Sequence, residues 1–133
     1  MNIVTNPLRH YADFRGRASR REVAVFLVLC AVSLSLLMSV VDQILPLLSG
    51  WAAAVVATLP SILAAALIVP ILAVMVRRVH DHDKSGWLLL LWFFPFFGQF
   101  YWIVLMVTPG TDGGNSYGDD PRRPGAEFEE VFN

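Results

Sequence analysis

The sequence is short of the residues that build disulfides and of those that coat a soluble surface. It holds one cysteine, Cys30. No intramolecular disulfide can form, and no CxxC pair exists for metal or redox chemistry. Inside an apolar run, Cys30 reads as a small packing residue. Charge is scarce as well: 16% of the 133 residues are charged and 56% are hydrophobic, and Asp42 is the only charged residue between Val23 and Val76. A soluble domain of this size has too much surface for that balance, whereas a chain facing lipid needs no polar coat. Also missing are a P-loop, a nucleophile elbow, an HExxH motif and a dinucleotide fingerprint. No clean Ala-x-Ala site follows the first apolar run, which at 19 residues is longer than a signal h-region. That run is expected to stay as an anchor.

What is present is three apolar segments. Val23–Val41, extending toward residue 48, reaches roughly 28 Å as a helix, about one hydrocarbon thickness. Its serines can bond back to helix carbonyls. Trp51–Val76 contains Pro60 and Pro70, which predict kinks rather than ends, because neighbouring groups can satisfy the freed carbonyls. Gly86–Val107 carries no charge and is rich in aromatics. The expected fold class is all-α, a polytopic integral membrane helical bundle. Residues 1–121 form the membrane domain, and 122–133 are expected to be an acidic, disordered tail.

Basic residues predict the orientation. Arg9, Arg15, Arg17, Arg20 and Arg21 precede the first span; Arg77, Arg78 and Lys84 follow the second; the loop 42–50 has no lysine or arginine. The positive-inside rule then puts the N-terminus and the 77–85 loop in the cytoplasm of a multi-pass protein. The third segment admits two readings. It is either a kinked single span or a re-entrant helical hairpin turning at Pro95-Phe96-Phe97-Gly98, with each arm about 15 Å long. The side of the tail depends on which holds.

Local signals support the helices. Ser19-Arg20-Arg21-Glu22 has the spacing of a capping box directly before an apolar run. Ala53, Ala57, Ser61 and Ala65 recur every four residues, a stripe that lets another helix approach, within the chain or between copies. Tyr11, Phe14, Trp51, Trp87, Tyr101 and Trp102 read as aromatic-belt anchors.

Three polar motifs flank these spans: Phe14–Glu22 (FRGRASRRE), Arg77–Trp87 (RRVHDHDKSGW) and Pro109–Pro121 (PGTDGGNSYGDDP). In this order and placement they resemble the family called domain of unknown function 805, small bacterial inner-membrane proteins, over roughly residues 10–122. The resemblance rests on Phe14, Gly16, Arg17, Ser19, Arg20 and Glu22; on Arg77, Arg78, His80, Asp81, Ser85, Gly86 and Trp87; and on Pro109, Gly110, Thr111, Gly113, Asn115, Tyr117, Gly118, Asp120 and Pro121. Departures are Val23 in place of an aromatic, Asp83 in place of glycine and Leu88 in place of tryptophan. The resemblance implies a bacterial inner-membrane location and an architecture rather than a reaction. If the three motifs act together they share one face, which favours the hairpin.

The chemistry of these motifs has competing readings. His80-Asp81-His82-Asp83 would place two imidazoles and a carboxylate on one metal only if it formed a loop, and His10 is the only other histidine. An interfacial turn, with Asp83 or Ser85 capping the third helix, is the simpler reading. The basic cluster reads as topology signal and attraction to anionic lipids. Alternatively, Arg17, Arg77 and Arg78 fork onto a phosphate or lipid headgroup, with His80 or Asp81 as acid/base. A third reading is internal: the arginines pair with Asp81, Asp120 or Asn115 and lock one face. The candidate polar cluster is Arg17, Arg20, Glu22, Arg77, Arg78, His80, Asp81, Asn115 and Asp120. No catalytic residue, cofactor or metal ligand is assigned. The function expected is a non-enzymatic membrane interaction or structural protein. Its expected partners are the lipid bilayer, including anionic lipids, and a second copy or another membrane protein; nucleic acid is not expected.

Overall fold

The structure is a computed structural model that describes residues 11–123. Arg9, His10 and the predicted tail from residue 124 lie outside the described residues. Helix α1 (Arg20–Ile44) begins where Ser19 turns from extended backbone, its Oγ accepting the Glu22 amide at 3.3 Å. This supplies one of the orphan first-turn donors with a partner. The serines behave as a lipid-facing helix requires: Ser33 donates to the Cys30 carbonyl and Ser35 to that of Ala31. A short 3-10 turn (Leu45–Leu47) leads into helix α2 (Gly50–His80), which packs antiparallel to α1. Both helices are long and apolar enough to cross a membrane.

Helix α2 runs unbroken through Pro60 and Pro70, both buried. Pro70 has no amide to give the carbonyl four residues before it, that of Ala66. The Tyr11 hydroxyl donates to that carbonyl at 2.5 Å. Tyr11 is therefore a partner for a broken helix bond as well as an aromatic near the surface.

The third apolar segment is a hairpin. A 3-10 helix (Gly86–Phe93) rises, the chain turns at 94–96, and helix α3 (Phe97–Val107) returns. Each arm reaches about 16 Å, roughly half a hydrocarbon thickness. Gly86 lies beside Val76 and His80, and the α3 end meets Arg78, so both arms start and finish at the C-terminal end of α2. Two features make the turn. Phe96 sits at φ +67 with its amide donated to Gln99 Oε1 at 2.6 Å. Gly98 lets the arms touch, since a Cβ there would overlap the Leu91 carbonyl. The tip exposes Phe93, Phe94, Phe96 and Phe97.

The packing is concentrated at one end. Ala18, Val23, Phe26, Cys30 and Val74 form one buried cluster; Val79, Trp102 and Leu105 form another beneath the hairpin. Trp102 is thus core rather than a belt anchor, edge-on to Trp92. The small-residue stripe is not the α1–α2 seam: Ala57, Ser61 and Ala65 are exposed, while Pro60, Pro70, Ala73 and Val74 are buried.

Candidate functional site

Asp81 follows the last residue of α2 and stays in helical geometry, which fixes its carboxylate at the bundle's polar end. Arg17 arrives from the segment before α1, anchored where the Ala18 amide donates to the Arg77 carbonyl at 3.0 Å. Its Nε and Nη2 reach Asp81 Oδ1 at 3.0 and 2.9 Å. Arg78 Nη1 reaches Asp81 Oδ2 at 2.5 Å. All three side chains are 1–2% exposed. Two buried guanidiniums share one buried carboxylate.

The remaining arginine donors go to backbone. Arg78 Nε and Nη2 donate to the Leu105 carbonyl at 3.0 and 2.5 Å, and Nη2 also to Thr108 at 2.6 Å. Arg20 Nη1 donates to Val107 at 3.1 Å. The last turn of α3 has no intrahelical partner for its carbonyls, and cations complement the helix dipole there. Arg17 gathers the following loop, donating to the carbonyls of Thr111 (2.6 Å), Gly113 (2.5 Å) and Gly118 (3.3 Å). Thr111 answers with its amide and hydroxyl on the Asp81 carbonyl. Gly110 lies against the Asp81 carboxylate so closely that a Cβ would overlap it.

A second layer surrounds this lock. Asn115 Nδ2 donates to the His80 carbonyl and to Thr111 Oγ1, both at 2.9 Å, and its Oδ1 accepts the Tyr117 amide. Tyr117 stacks on His80 with centroids 3.9 Å apart. Asp83 adopts φ +54, a left-handed conformation that asparagine, aspartate and glycine tolerate, and its Oδ1 accepts the Ser116 amide at 3.2 Å. A glycine, which the resemblance implies at this place, would adopt that φ without strain. Asp120 is buried and clasped by Arg122, whose amide and Nε reach Oδ1 at 2.9 Å and whose Nη2 reaches Oδ2 at 2.8 Å. These bonds hold the Asp120 carboxyl below the usual carboxylate range.

The structure thus brings Arg17, Arg78, Asp81, His80 and Asn115 together, with Arg20 at the rim. Arg77 and Glu22 form an adjacent pair, Nη1 to Oε1 at 3.7 Å. Asp120 lies beside them but is bound by Arg122, and Asn115 bonds a carbonyl and a hydroxyl rather than an arginine. His80 and His82 separate: His80 Nδ1 lies 3.3 Å from the Gly16 carbonyl, and His82 Nε2 lies 3.3 Å from that of Leu105. Burial, then the nearby Arg78 charge, pushes the His82 imidazole below its ordinary value. Among the described residues no three His, Cys, Asp or Glu side chains converge as metal ligands. Sequence alone does not single out Arg122, because its neighbours are those of a solvated tail. Only its spacing after Asp120 hinted at a clasp.

The chain is similar to two bacterial proteins along almost its whole length. It is 36% identical over 122 residues to Inner membrane protein YhaI of Escherichia coli (strain K12), covering 92% of this chain and 97% of that protein. It is 35% identical over 126 residues to Inner membrane protein YhaH of the same organism, covering 92% and 98%. No solved structure matches it. The model of the family described as Protein of unknown function (DUF805) matches residues 11–119, a span that contains both arginines of the lock, their shared aspartate and the hairpin. This membrane protein belongs to that family.

Proposed function

We propose that the chain is a multi-pass inner-membrane protein with its N-terminus and both hairpin ends in the cytoplasm, acting without catalysis as a structural and interaction module. The reading rests on one observation: Asp81 takes both Arg17 and Arg78, and the rest of their donors go to carbonyls between Leu105 and Gly118. Guanidiniums so engaged have little left for a substrate, and they tie three distant segments into one end. The exposed stripe of Ala57, Ser61 and Ala65 is the face offered to a second copy or another membrane protein.

The test is to replace Arg17, Arg78 and Asp81 singly and measure unfolding in phosphatidylcholine nanodiscs with and without an anionic lipid. The expected result is lost stability in both. Variants that stay stable but lose a lipid-dependent property would overturn the lock. A C-terminal topology reporter should read cytoplasmic; an outward tail would sink the proposed orientation. Native mass spectrometry of the intact protein tests self-association directly.

A further inference from the structure

Three arginines stand near the end of α2, and one of them differs from the others. Arg17 and Arg78 have their donors engaged as described. Arg77 is 3% exposed, yet its buried Nε and Nη2 have no hydrogen-bond partner among the described residues. Its Nη1 faces a carboxylate, Glu22 Oε1 at 3.7 Å, beyond hydrogen-bond range. Nε and Nη2 share one edge of the planar guanidinium, the edge that forks onto the oxygens of a carboxylate or phosphate. Arg17 uses this same edge on Asp81. A buried donor left unmade costs about 1–3 kcal/mol, more for a charged group, so two on one edge favour a partner there.

Charge and depth narrow the partner. Two guanidiniums already share Asp81, and Asp120 is taken by Arg122, so the neighbourhood has positive charge in surplus. Arg20 and Arg21 are exposed at the start of α1 and extend that surplus to the surface. Arg77 directly follows Val76, the last residue of the second apolar run, at the depth where a spanning helix leaves hydrocarbon for headgroups.

We propose that Arg77 binds an oxyanion of the phosphate class, from a lipid headgroup or from free phosphate, on its Nε/Nη2 edge, with Glu22 steadying the opposite nitrogen. This goes beyond the lock and rests on a different residue. The lock is read from the stability its variants lose whether or not anionic lipid is present, and this site from the rise that anionic lipid or phosphate adds, so either idea can fail without the other.

The experiment uses the full chain in phosphatidylcholine nanodiscs and measures thermal unfolding under three conditions: no addition, one-third phosphatidylglycerol, and added inorganic phosphate. A midpoint raised by phosphatidylglycerol only assigns the oxyanion to lipid, and one raised by phosphate only assigns it to the free anion. A rise with both assigns the shared chemistry. Arg77→Lys keeps the charge but loses the fork, and should lose most of the rise; Arg123→Gln, at an exposed cation away from the fork, should keep it. A rise that Arg77→Lys retains in full would mean general surface charge and overturn the proposal. No rise under either condition would mean that the fork holds solvent only, with the same consequence. Should Arg77→Lys fail to fold, Glu22→Gln decides. It removes a competing negative charge and leaves the fork, so a larger rise supports the site and an unchanged one rejects it.

Discussion

The two ends of this bundle are built on different terms. At the polar end, three chain segments and two apolar clusters converge on Asp81, and the charged side chains at the centre are almost wholly buried. At the far end, two helices stand side by side, and among the described residues from Ala31 through Val69 only Val41 and Pro60 are buried. There Leu36, Met38, Val55 and Ile62 are exposed. In water such a half would collapse or aggregate. In lipid, where the tails are as apolar as leucine, no hydrophobic drive pushes the helices together. A fold of this kind must be specified where water begins, and the arginines, aspartates and glycines gather there.

The sharpest way to break the contrast is Asp81→Ala. It leaves Arg17 and Arg78 buried without their carboxylate, and breaking a buried pair in this way costs about 3–5 kcal/mol. Asp81→Asn should cost less, since it keeps an acceptor. Leu36→Ala at the far end, where the side chain is 62% exposed, should change stability by about 0.5 kcal/mol or less. Denaturant unfolding of all three in the same detergent checks the ordering. Equal losses at Asp81 and Leu36 would mean that the polar end does not dominate stability.

Glycines sharpen the same comparison. Gly98→Ala would drive a Cβ into the Leu91 carbonyl, and Gly110→Ala would drive one into Asp81, both against backbone or a fixed carboxylate. Overpacking of this kind costs roughly 1–3 kcal/mol or more. Gly50→Ala at the far end meets no atom within 4 Å and bears only the strain of φ +60, about 1–2 kcal/mol. Gly98→Ala should also open the hairpin, which limited proteolysis near residue 95 would report. An unchanged cleavage pattern would mean that the arms do not depend on their close contact.

Much of this was legible in the sequence, and the part that was not has a physical cause. The two long helices follow from hydrophobic length, and the arginine motifs from charge. The third segment was ambiguous because its length suits a span while Pro95 and Gly98 suit a turn. The contact that defines the turn, Gly98 on the Leu91 carbonyl, lies between atoms that hydropathy does not describe. Charge and motif place the polar residues of the cluster near the end of α2, but not the bonds among them. Most arginine acceptors are main-chain carbonyls, at Leu105, Val107, Thr108, Thr111, Gly113 and Gly118, and a sequence shows no carbonyl more prominently than another. The clasp of Arg122 is hidden for the same reason: it depends on Asp120 being buried.

Tyr11 offers a smaller test with an internal control. Tyr11→Phe leaves the Ala66 carbonyl without the hydroxyl that replaces the amide missing at Pro70, a loss of about 1 kcal/mol. In a Pro70→Ala background the helix can make its own bond to Ala66, and the same substitution should then cost less. A double-mutant cycle measures the difference. A coupling near zero would mean that the hydroxyl does not serve the broken helix bond.

The smallest effect expected is the response of the polar end to acid, and its sign follows from three groups, His80, His82 and Asp120. His82, like His80, titrates below its ordinary value in the folded protein because burial disfavours the imidazolium, so the unfolded chain binds that proton first. Its contribution to stability is whole above about pH 6.5 and is lost as pH falls below that toward the folded value. Asp120 is also depressed, through the bonds from Arg122, so its contribution is whole above the ordinary carboxylate value of 3.8 and is lost as pH falls through the lower folded one. Acid should therefore loosen the polar end in two separated steps. His82→Gln should shrink the upper step, which His80 shares, and Asp120→Asn should erase the lower, each read as a change in the unfolding midpoint against pH. Asp42→Asn, at the far end and without a lock to serve, should erase neither. If it did remove one of the steps, the division of the molecule into a specified end and a lipid-solvated end would fail.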